Sequence, residues 1–570
     1  MTHPTQTVDR VLVIGLDGAT FDVLRPLAED GTMPNLAELL RRAAAARLMS
    51  SEPAITPAAW TTFLTGRDTL AHRVLDFRYL DHHNRQVRLN HPGRVAIPTI
   101  FDDLQAAGDD VISINLPMTS AARARGRSII VGGLDLPSGR AALAPYPKLA
   151  ESVRRSGTEY SLRVLWKRRP QSFEELAGGV AATEQAFNSR VRVAQAADRM
   201  VDWRLMVVQF QNLDSFQHRC WHLLGIDGQP GGPLPWIAEA RHVLVALDRC
   251  VGELLELAAR RSAAVAVVSD HGFGPFRQKI ATSELLRRGG LLAPGRYGAM
   301  NYRLARARFK VRRWLRRTTT APESTAAIAR NVRALLPVDW RRSAAVCLHA
   351  NMAALVYANT PQRFDQGPVR SPRCYQQVTH DIVGQLLAAR HSETGESLFT
   401  SAWRTADRID GDPLDAMLPD VVGIPAPGFH TRHKLDPGGR LLRHDPSLTG
   451  THRADGVLML EAPGIIAEEH PSAHLRDVAP TLLGLLGRPN NRTMDGQPLH
   501  HLFEESARIE SKLPAAQQAG IHLRAAASHA GVSHTLDGTT VRNASDRFGS
   551  PGAEHEAAVN RRLRQLGYLD

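Results

Sequence analysis

Three aspartates and three histidines of this chain fall where chemistry is done. Asp17 closes VLVIGLD, Asp214 closes LMVVQFQNLD and Asp270 closes AVAVVSD, each just past a short apolar run. His271 follows Asp270 directly, His218 lies four residues after Asp214, and His452 precedes the apolar run GVLML. Singly, each has an ordinary use. A strand-end aspartate commonly caps a helix, and an Asp–His pair at i,i+4 is a routine helix contact. Together they offer carboxylate oxygen and imidazole nitrogen without thiolate, a donor mixture suited to Zn²⁺ or Mn²⁺. There are donors enough for two divalent metal ions, and a two-ion site serves displacement at phosphorus, where it clamps the attacking and leaving oxygens. The segment 51–78 adds hydroxyls at Thr56, Thr61, Thr62 and Thr65. Pro57 and the small residues after it predict a helix start with Thr56 at its N-cap, where a nucleophilic alkoxide would gain from the helix terminus. Plain capping is the competing use of that threonine.

The elements that position these residues are legible as an alternation. VLVIGL (11–16), DVISIN (110–115), SIIVGG (128–133), LMVVQF (205–210), AVAVVS (264–269) and GVLMLE (456–461) are β-branched and nearly continuously apolar. Strands buried on both faces have that composition. Helical patterns lie between them, among them MPNLAELLRRAA and IAEARHVLVALDRCVGELLELAARR. Strands alternating with helices predict an α/β fold with a mostly parallel sheet. Ligands of such sheets bind beyond the carboxyl ends of the strands, where the three aspartates stand. Residues 136–200 and 290–345 break the alternation and are expected to be helix and loop. The second contains RLARARFKVRRWLRR (303–317), with eight basic residues and no acidic one. That segment is expected to be a solvated helix, with contact to an acidic membrane surface as its functional alternative. Beyond residue 505 the chain turns to Ala, Ser, Gly and His. It ends in a helical pattern with Val559, Leu563 and Leu566 on one face before Gly567.

Composition excludes several classes. Over 570 residues, 43% are hydrophobic and 22% charged, so disorder is not the main state. Four cysteines, none in a C-x-x-C pair, argue against a disulfide framework or a thiolate metal site. No apolar run approaches the ~18 residues of a membrane span, and the first residues show no secretory pattern, so a cytoplasmic location is expected. Seventy basic against 57 acidic residues give a net charge of +13, which favours a small anionic partner such as a phosphate ester. No specific nucleic-acid partner is expected, and oligomeric state is not legible.

The blocks IGLDGATFDVLRPLAEDGTMPNL, ITPAAWTTFLTG, LDSFQHRCW, VVSDHGFGP, GTHRADGVLML and RDVAPTLLGLLGRPNNRTMDGQPL run in this order from about residue 11 to 500. In them the chain resembles the alkaline phosphatase superfamily. Within that superfamily it looks most like the type I phosphodiesterase/nucleotide pyrophosphatase branch and its bacterial predicted phosphohydrolase or phosphomutase relatives. The resemblance implies an alkaline-phosphatase-like three-layer α/β/α sandwich over residues 8–505, with helical cap insertions at about 136–200 and 290–345. Residues 506–570 would be a linker and tail. It implies one metal ion on Asp214, His218 and His452, and a second on Asp17, Asp270, His271 and the hydroxyl of Thr56. Thr56 would be the nucleophile, by its register ten positions before Gly66, and would form a phosphothreonine intermediate. The branch's phosphate-binding Asn is replaced by Ala59, so that contact must come from elsewhere, for example Asn212 or a backbone N–H near 57–59. Loop histidines His430, His433 and His444 are expected at the surface, with lining of an entrance as their functional alternative.

Other readings are weaker. The Thr56 segment lacks the C/S-x-P-x-R context of a sulfatase. VLVIGLDGAT has no G-x-G-x-x-G for a dinucleotide, and the chain has no phosphate-binding P-loop. A phosphomutase of the phosphoglycerate-mutase type shares the metal pattern. A non-catalytic anion- or lipid-binding scaffold would keep the fold without the chemistry.

Overall fold

A computed structural model describes residues 7–83, 86–95, 97–162, 166–226, 231–295, 338–411, 413–414, 417–436, 438–490, 492–504 and 553–566. The basic segment 303–317 and the 505–552 stretch lie outside the described residues. The chain forms two compact units, one of residues 1–72, 91–273 and 452–551, the other of 73–90, 274–451 and 552–570.

The first unit is built on eight strands: β1 (Val11–Leu16), β2 (Ala44–Met49), β3 (Asp110–Ile114), β4 (Ile129–Val131), β5 (Trp203–Phe210), β6 (Ala264–Val268), β7 (Asp455–Glu461) and β8 (Glu469–His474). They form one sheet in the order β8-β2-β7-β6-β1-β5-β3-β4. β1 runs parallel to both β5 and β6, β3 is parallel to β4 and β5, and β2 is parallel to β8. Only β7 is reversed, antiparallel to β2 and β6. The fold is therefore α/β with a large, mostly parallel central sheet.

Alternation along β1 shows why its sequence is apolar throughout. Leu12, Ile14 and Leu16 face one core, and Val11 and Val13 face another. The first core is closed by α1 (Phe21–Glu29), α2 (Pro34–Arg42) and the two long helices over Phe173–Asp198 and Leu234–Arg260. The second is closed by α3 (Thr56–Thr65), α4 (Ile100–Ala106) and a late helix, α8 (Val478–Leu485). Sheet and both helical layers make the three-layer sandwich. Its other helices include α5 (Phe173–Asp198), α6 (Asn212–Cys220) and α7 (Leu234–Arg260).

Six of the eight strands are those expected from apolar runs. β2 and β8 are not. AAARLM is alanine-rich and continues a helical pattern, but the helix stops at Arg42 and the strand begins at Ala44. Lodged between β7 and β8, β2 buries Ala44, Ala45, Ala46 and Leu48, so tertiary pairing overrides propensity. β8 is an edge strand of polar residues. Segment 136–200 holds no strand among its described residues, and its long helix α5 packs on β5 and α7 as part of the sandwich layer.

The second unit contains an antiparallel sheet of Ala345–Ala350, Ala354–Ala358, Val421–Pro425 and Phe399–Arg404, backed by the helix Pro372–Ala388. None of these strands was expected from the sequence. His430 and His433, expected at the surface, are buried here, and His430 Nε2 meets Thr451 Oγ1, whereas His444 is exposed. The C-terminal helix Ala553–Leu566 buries Val559 and Leu563. Among the described residues no helix is long and apolar enough to cross a membrane.

Candidate metal centre

Topology alone brings the expected residues to one edge of the sheet. β6, β1 and β5 are adjacent and parallel, with Gly15 paired to Val268 and Leu16 to Phe210. Their carboxyl ends therefore lie side by side about 4.8 Å apart. Asp17 follows β1, Asp270 stands two residues past β6, and Asp214 lies in the first turn of α6, which follows β5. β7 runs the other way, so its start meets the same edge, three residues after His452. β2 pairs its last residue, Met49, with Asp455 and leads at that edge into the loop before Thr56.

The seven side chains converge, and all are buried. Asp214 Oδ1 is 3.0 Å from His452 Nε2 and 3.4 Å from His218 Nε2, and the two imidazole nitrogens are 3.1 Å apart. Four ligands about 2.0–2.1 Å from a tetrahedral zinc ion stand about 3.3–3.4 Å from one another, close to these separations. In the second cluster His271 Nε2 is 3.4 Å from Asp270 Oδ2 and 3.7 Å from Asp17 Oδ1, with Thr56 Oγ1 3.5 Å away. The clusters abut: the rings of His271 and His452 stack with centroids 3.6 Å apart, and His271 also reaches Asp214 and His452. Among the described residues the ligand atoms that lie within 4.8 Å of one another form two groups, Asp214–His271–His452 and Asp17–Asp270–His271, so His271 belongs to both, while His218 adjoins the first through Asp214 and His452.

Two of the three histidines are held in the tautomer a ligand needs. His452 Nδ1–H donates to Ala54 O and His271 Nδ1–H to Gly272 O, which leaves each Nε2 lone pair facing inward. The carboxylates are held likewise. Asp17 Oδ2 accepts from Gln209 Nε2 at 2.6 Å and from Trp60 Nε1 at 3.4 Å, and Asp270 Oδ1 accepts from Gly18 N at 3.1 Å. Their other oxygens, Asp17 Oδ1 and Asp270 Oδ2, are buried with no hydrogen-bond donor among the described residues. A buried, bare carboxylate oxygen is costly unless a cation meets it.

The electrostatics agree with that donor set. Burial, then repulsion by Asp270 and Asp214, raises the Asp17 carboxyl well above the ordinary aspartate range. Burial and Asp214 raise Asp270 in the same way, opposed by the Gly18 N–H. Burial, then the neighbouring His452, pushes His271 well down and keeps its imidazole neutral. Asp214 is the exception: burial opposes ionisation, but His218 and His452 outweigh it and lower its pKa. Two carboxyls that resist ionisation beside a neutral imidazole fit a site completed by a divalent cation.

The structure also decides among the four hydroxyls. Thr61 Oγ1 donates to Pro57 O, Thr65 Oγ1 to Thr61 O, and Thr62 Oγ1 lies 3.0 Å from His72 Nε2. Thr56 alone faces the ligand cluster. It is not the N-cap, as expected from sequence. Ile55 occupies that place with extended backbone, and Thr56 is the first helical residue, so its hydroxyl is not spent on a cap. Ala59 packs into the core beneath α3. Asn212 is buried, and its Oδ1 accepts from Arg190. Gln209 and Trp60 were not singled out from sequence. The polar Gln209 within the apolar run LMVV-F was the available signal.

Residues 11–455 match the sequence family described as Type I phosphodiesterase / nucleotide pyrophosphatase. A search against curated proteins finds no match. Among solved structures, human ectonucleotide pyrophosphatase / phosphodiesterase 5 aligns over 87% of this chain and 100% of its own, with 12% identity and a TM-score of 0.45. The murine protein, as an inactive variant in complex with AMP, aligns over the same shares, with 12% identity and a TM-score of 0.46. Phosphonoacetate hydrolase from Sinorhizobium meliloti, in complex with phosphonoformate, aligns over 84% of this chain and 98% of its own, with 15% identity and a TM-score of 0.47. With the family match spanning most of its length, the chain belongs to the type I phosphodiesterase / nucleotide pyrophosphatase family and is a phosphoesterase of that type.

Proposed function

We propose that this protein is a two-metal phosphoesterase that hydrolyses phosphodiesters or phosphomonoesters of a small anionic metabolite through a phosphothreonine at Thr56. Asp214, His218 and His452 would hold one divalent ion, and Asp17, Asp270 and His271, with the Thr56 hydroxyl, the other; Zn²⁺ is favoured and Mn²⁺ fits the same donors. Bound ions supply charge stabilisation to the phosphoryl group and lower the pKa of hydroxyl and water.

The chain's own residues do the rest. The ten-residue helix α3 presents its positive end beside Thr56, which attracts the phosphoryl anion. Thr56 Oγ1 forms a bond to phosphorus, the bond from phosphorus to the leaving oxygen breaks, and that oxygen takes up a proton. Water then attacks the phosphothreonine, the Oγ1–P bond breaks and the free hydroxyl returns. A diester yields a phosphomonoester and a monoester yields inorganic phosphate. The backbone carbonyls of Ala54 and Gly272 keep the His452 and His271 rings oriented through the cycle.

The observation that supports this reading is the convergence of two buried ligand clusters at His271, with the Thr56 hydroxyl, which is not spent on a helix cap, 3.5 Å from its Nε2. The test is turnover of bis(p-nitrophenyl) phosphate and of p-nitrophenyl phosphate by protein reconstituted with Zn²⁺ or Mn²⁺. Turnover that is lost on chelation and restored by the ion is expected. A protein that retains both ions and turns over neither ester would defeat the proposal. The ratio of the two rates assigns diester or monoester preference.

A further inference from the structure

Behind the ligand Asp17 lies a run of buried hydrogen bonds that all point one way. Tyr160 O–H donates to Asn115 Oδ1 at 3.2 Å, with Gly132 O as a more distant second acceptor at 3.4 Å. Asn115 Nδ2 donates to Gln209 Oε1 at 2.7 Å and to Gln209 O at 3.0 Å. Gln209 Nε2 donates to Asp17 Oδ2 at 2.6 Å. An amide accepts through oxygen and donates through nitrogen, so this head-to-tail order fixes the orientation of both amides. The run starts beside a buried cation. The Arg190 guanidinium carbon sits 5.0 Å from the Tyr160 ring centroid. Its hydrogen bonds go to Ser161 O, Ala186 O, Ser189 Oγ and Asn212 Oδ1, and no carboxylate pairs with it among the described residues. A cation over the ring makes the phenol a stronger donor, and consecutive hydrogen bonds polarise one another.

The backbone is shaped for this arrangement. Asn115 has φ +68°, a left-handed conformation that asparagine tolerates better than most residues. Its carbonyl approaches Gly133 so closely that a Cβ there would stand 2.1 Å from the oxygen, which only glycine permits. Such cost is accepted where a side chain must be held in one place.

We propose that Arg190, Tyr160, Asn115 and Gln209 form a positioning relay for Asp17. By occupying Oδ2 it leaves Oδ1 as the single oxygen offered to the ion, and it strengthens the donor that keeps it so. The inference rests on the two-ion reading above and adds a specific asymmetry: the relay serves the Asp17–Asp270–His271 ion and not the other.

The experiment uses the full chain as wild type, Gln209→Leu and Tyr160→Phe. Each is stripped, reloaded with Zn²⁺ and titrated against a chromogenic chelator, with bound metal counted by elemental analysis. Wild type is expected to hold two ions. Gln209→Leu should keep one at wild-type affinity and bind the other ~10–100-fold more weakly, the usual effect of losing an outer-shell partner. Tyr160→Phe, which removes one hydroxyl far from the ion, should weaken the same site by a smaller factor. In the cobalt-substituted protein the visible absorption should change in both variants, which a general loss of stability would not produce. Equal weakening of both sites, or wild-type affinity at both in Gln209→Leu, overturns the relay while the two-ion reading stands. A wild-type chain that holds no ion overturns both.

Discussion

Asp270→Asn should stabilise the metal-stripped protein and destabilise the loaded one. One carboxylate oxygen of Asp17 and one of Asp270 lie within 4.8 Å of each other. Two unit charges at that separation repel by about 3.5 kcal/mol at an effective dielectric of about 20. Both carboxyls are raised above the ordinary value of 3.8, so the folded state holds protons that the unfolded chain has released. Their contribution is fully present below about pH 3.8 and is lost as pH rises through the raised folded values. Above the raised folded values, in chelator, replacing one member with a neutral amide should recover much of the ~3.5 kcal/mol. For a unit of this size that is roughly 5 °C in melting temperature. The loss of stability with rising pH should also become shallower, by up to ~1.4 kcal/mol per pH unit. With Zn²⁺ present the sign reverses. A tenfold to hundredfold loss of affinity for the liganded ion costs about 1.4–2.7 kcal/mol of linked stability. Scanning calorimetry of both chains, with chelator and with Zn²⁺, reads all four values. A substitution that lowers the melting temperature equally in both conditions would refute the claim that this carboxyl pair is completed by a cation.

Thr56→Ala removes a hydroxyl that caps nothing, so unfolding free energy should change by no more than about 1 kcal/mol while turnover falls at least ~10³-fold; unchanged turnover removes Thr56 from the nucleophile role. His72 is buried against Thr62, and burial, with Arg67 nearby, pushes its pKa down to about 3. The unfolded chain takes up that proton below about 6.5 and the folded chain does not, so stability falls as pH drops across that window, by up to ~1.4 kcal/mol per unit. His72→Gln should flatten that part of the pH–stability curve, and calorimetry across the window checks it. A Cβ at Gly15 would stand 2.8 Å from the Trp60 ring, whose Nε1 donates to Asp17. Gly15→Ala should therefore cost about 1–3 kcal/mol by overpacking and weaken Zn²⁺ binding, read by denaturant titration and chelator competition.

The sequence by itself determined most of the strands that are buried on both faces, because a strand such as Val11–Leu16, with a core on each side, favours apolar residues along its length. It determined the six ligand candidates as well, since strand-end aspartates and histidines in that order are visible without coordinates. Tertiary structure decided the rest. β2 exists because β7 and β8 pair with alanines whose local preference is helical. Thr56 is distinguished from Thr61, Thr62 and Thr65 only by what the other three hydroxyls touch. Gln209, Asn115 and Tyr160 are far apart in the chain and meet only because β1, β5 and β3 are neighbours in the sheet. A residue's type and spacing declare what it can ligate. Which of its atoms is left bare to do so depends on donors contributed by distant segments, and no local pattern encodes that.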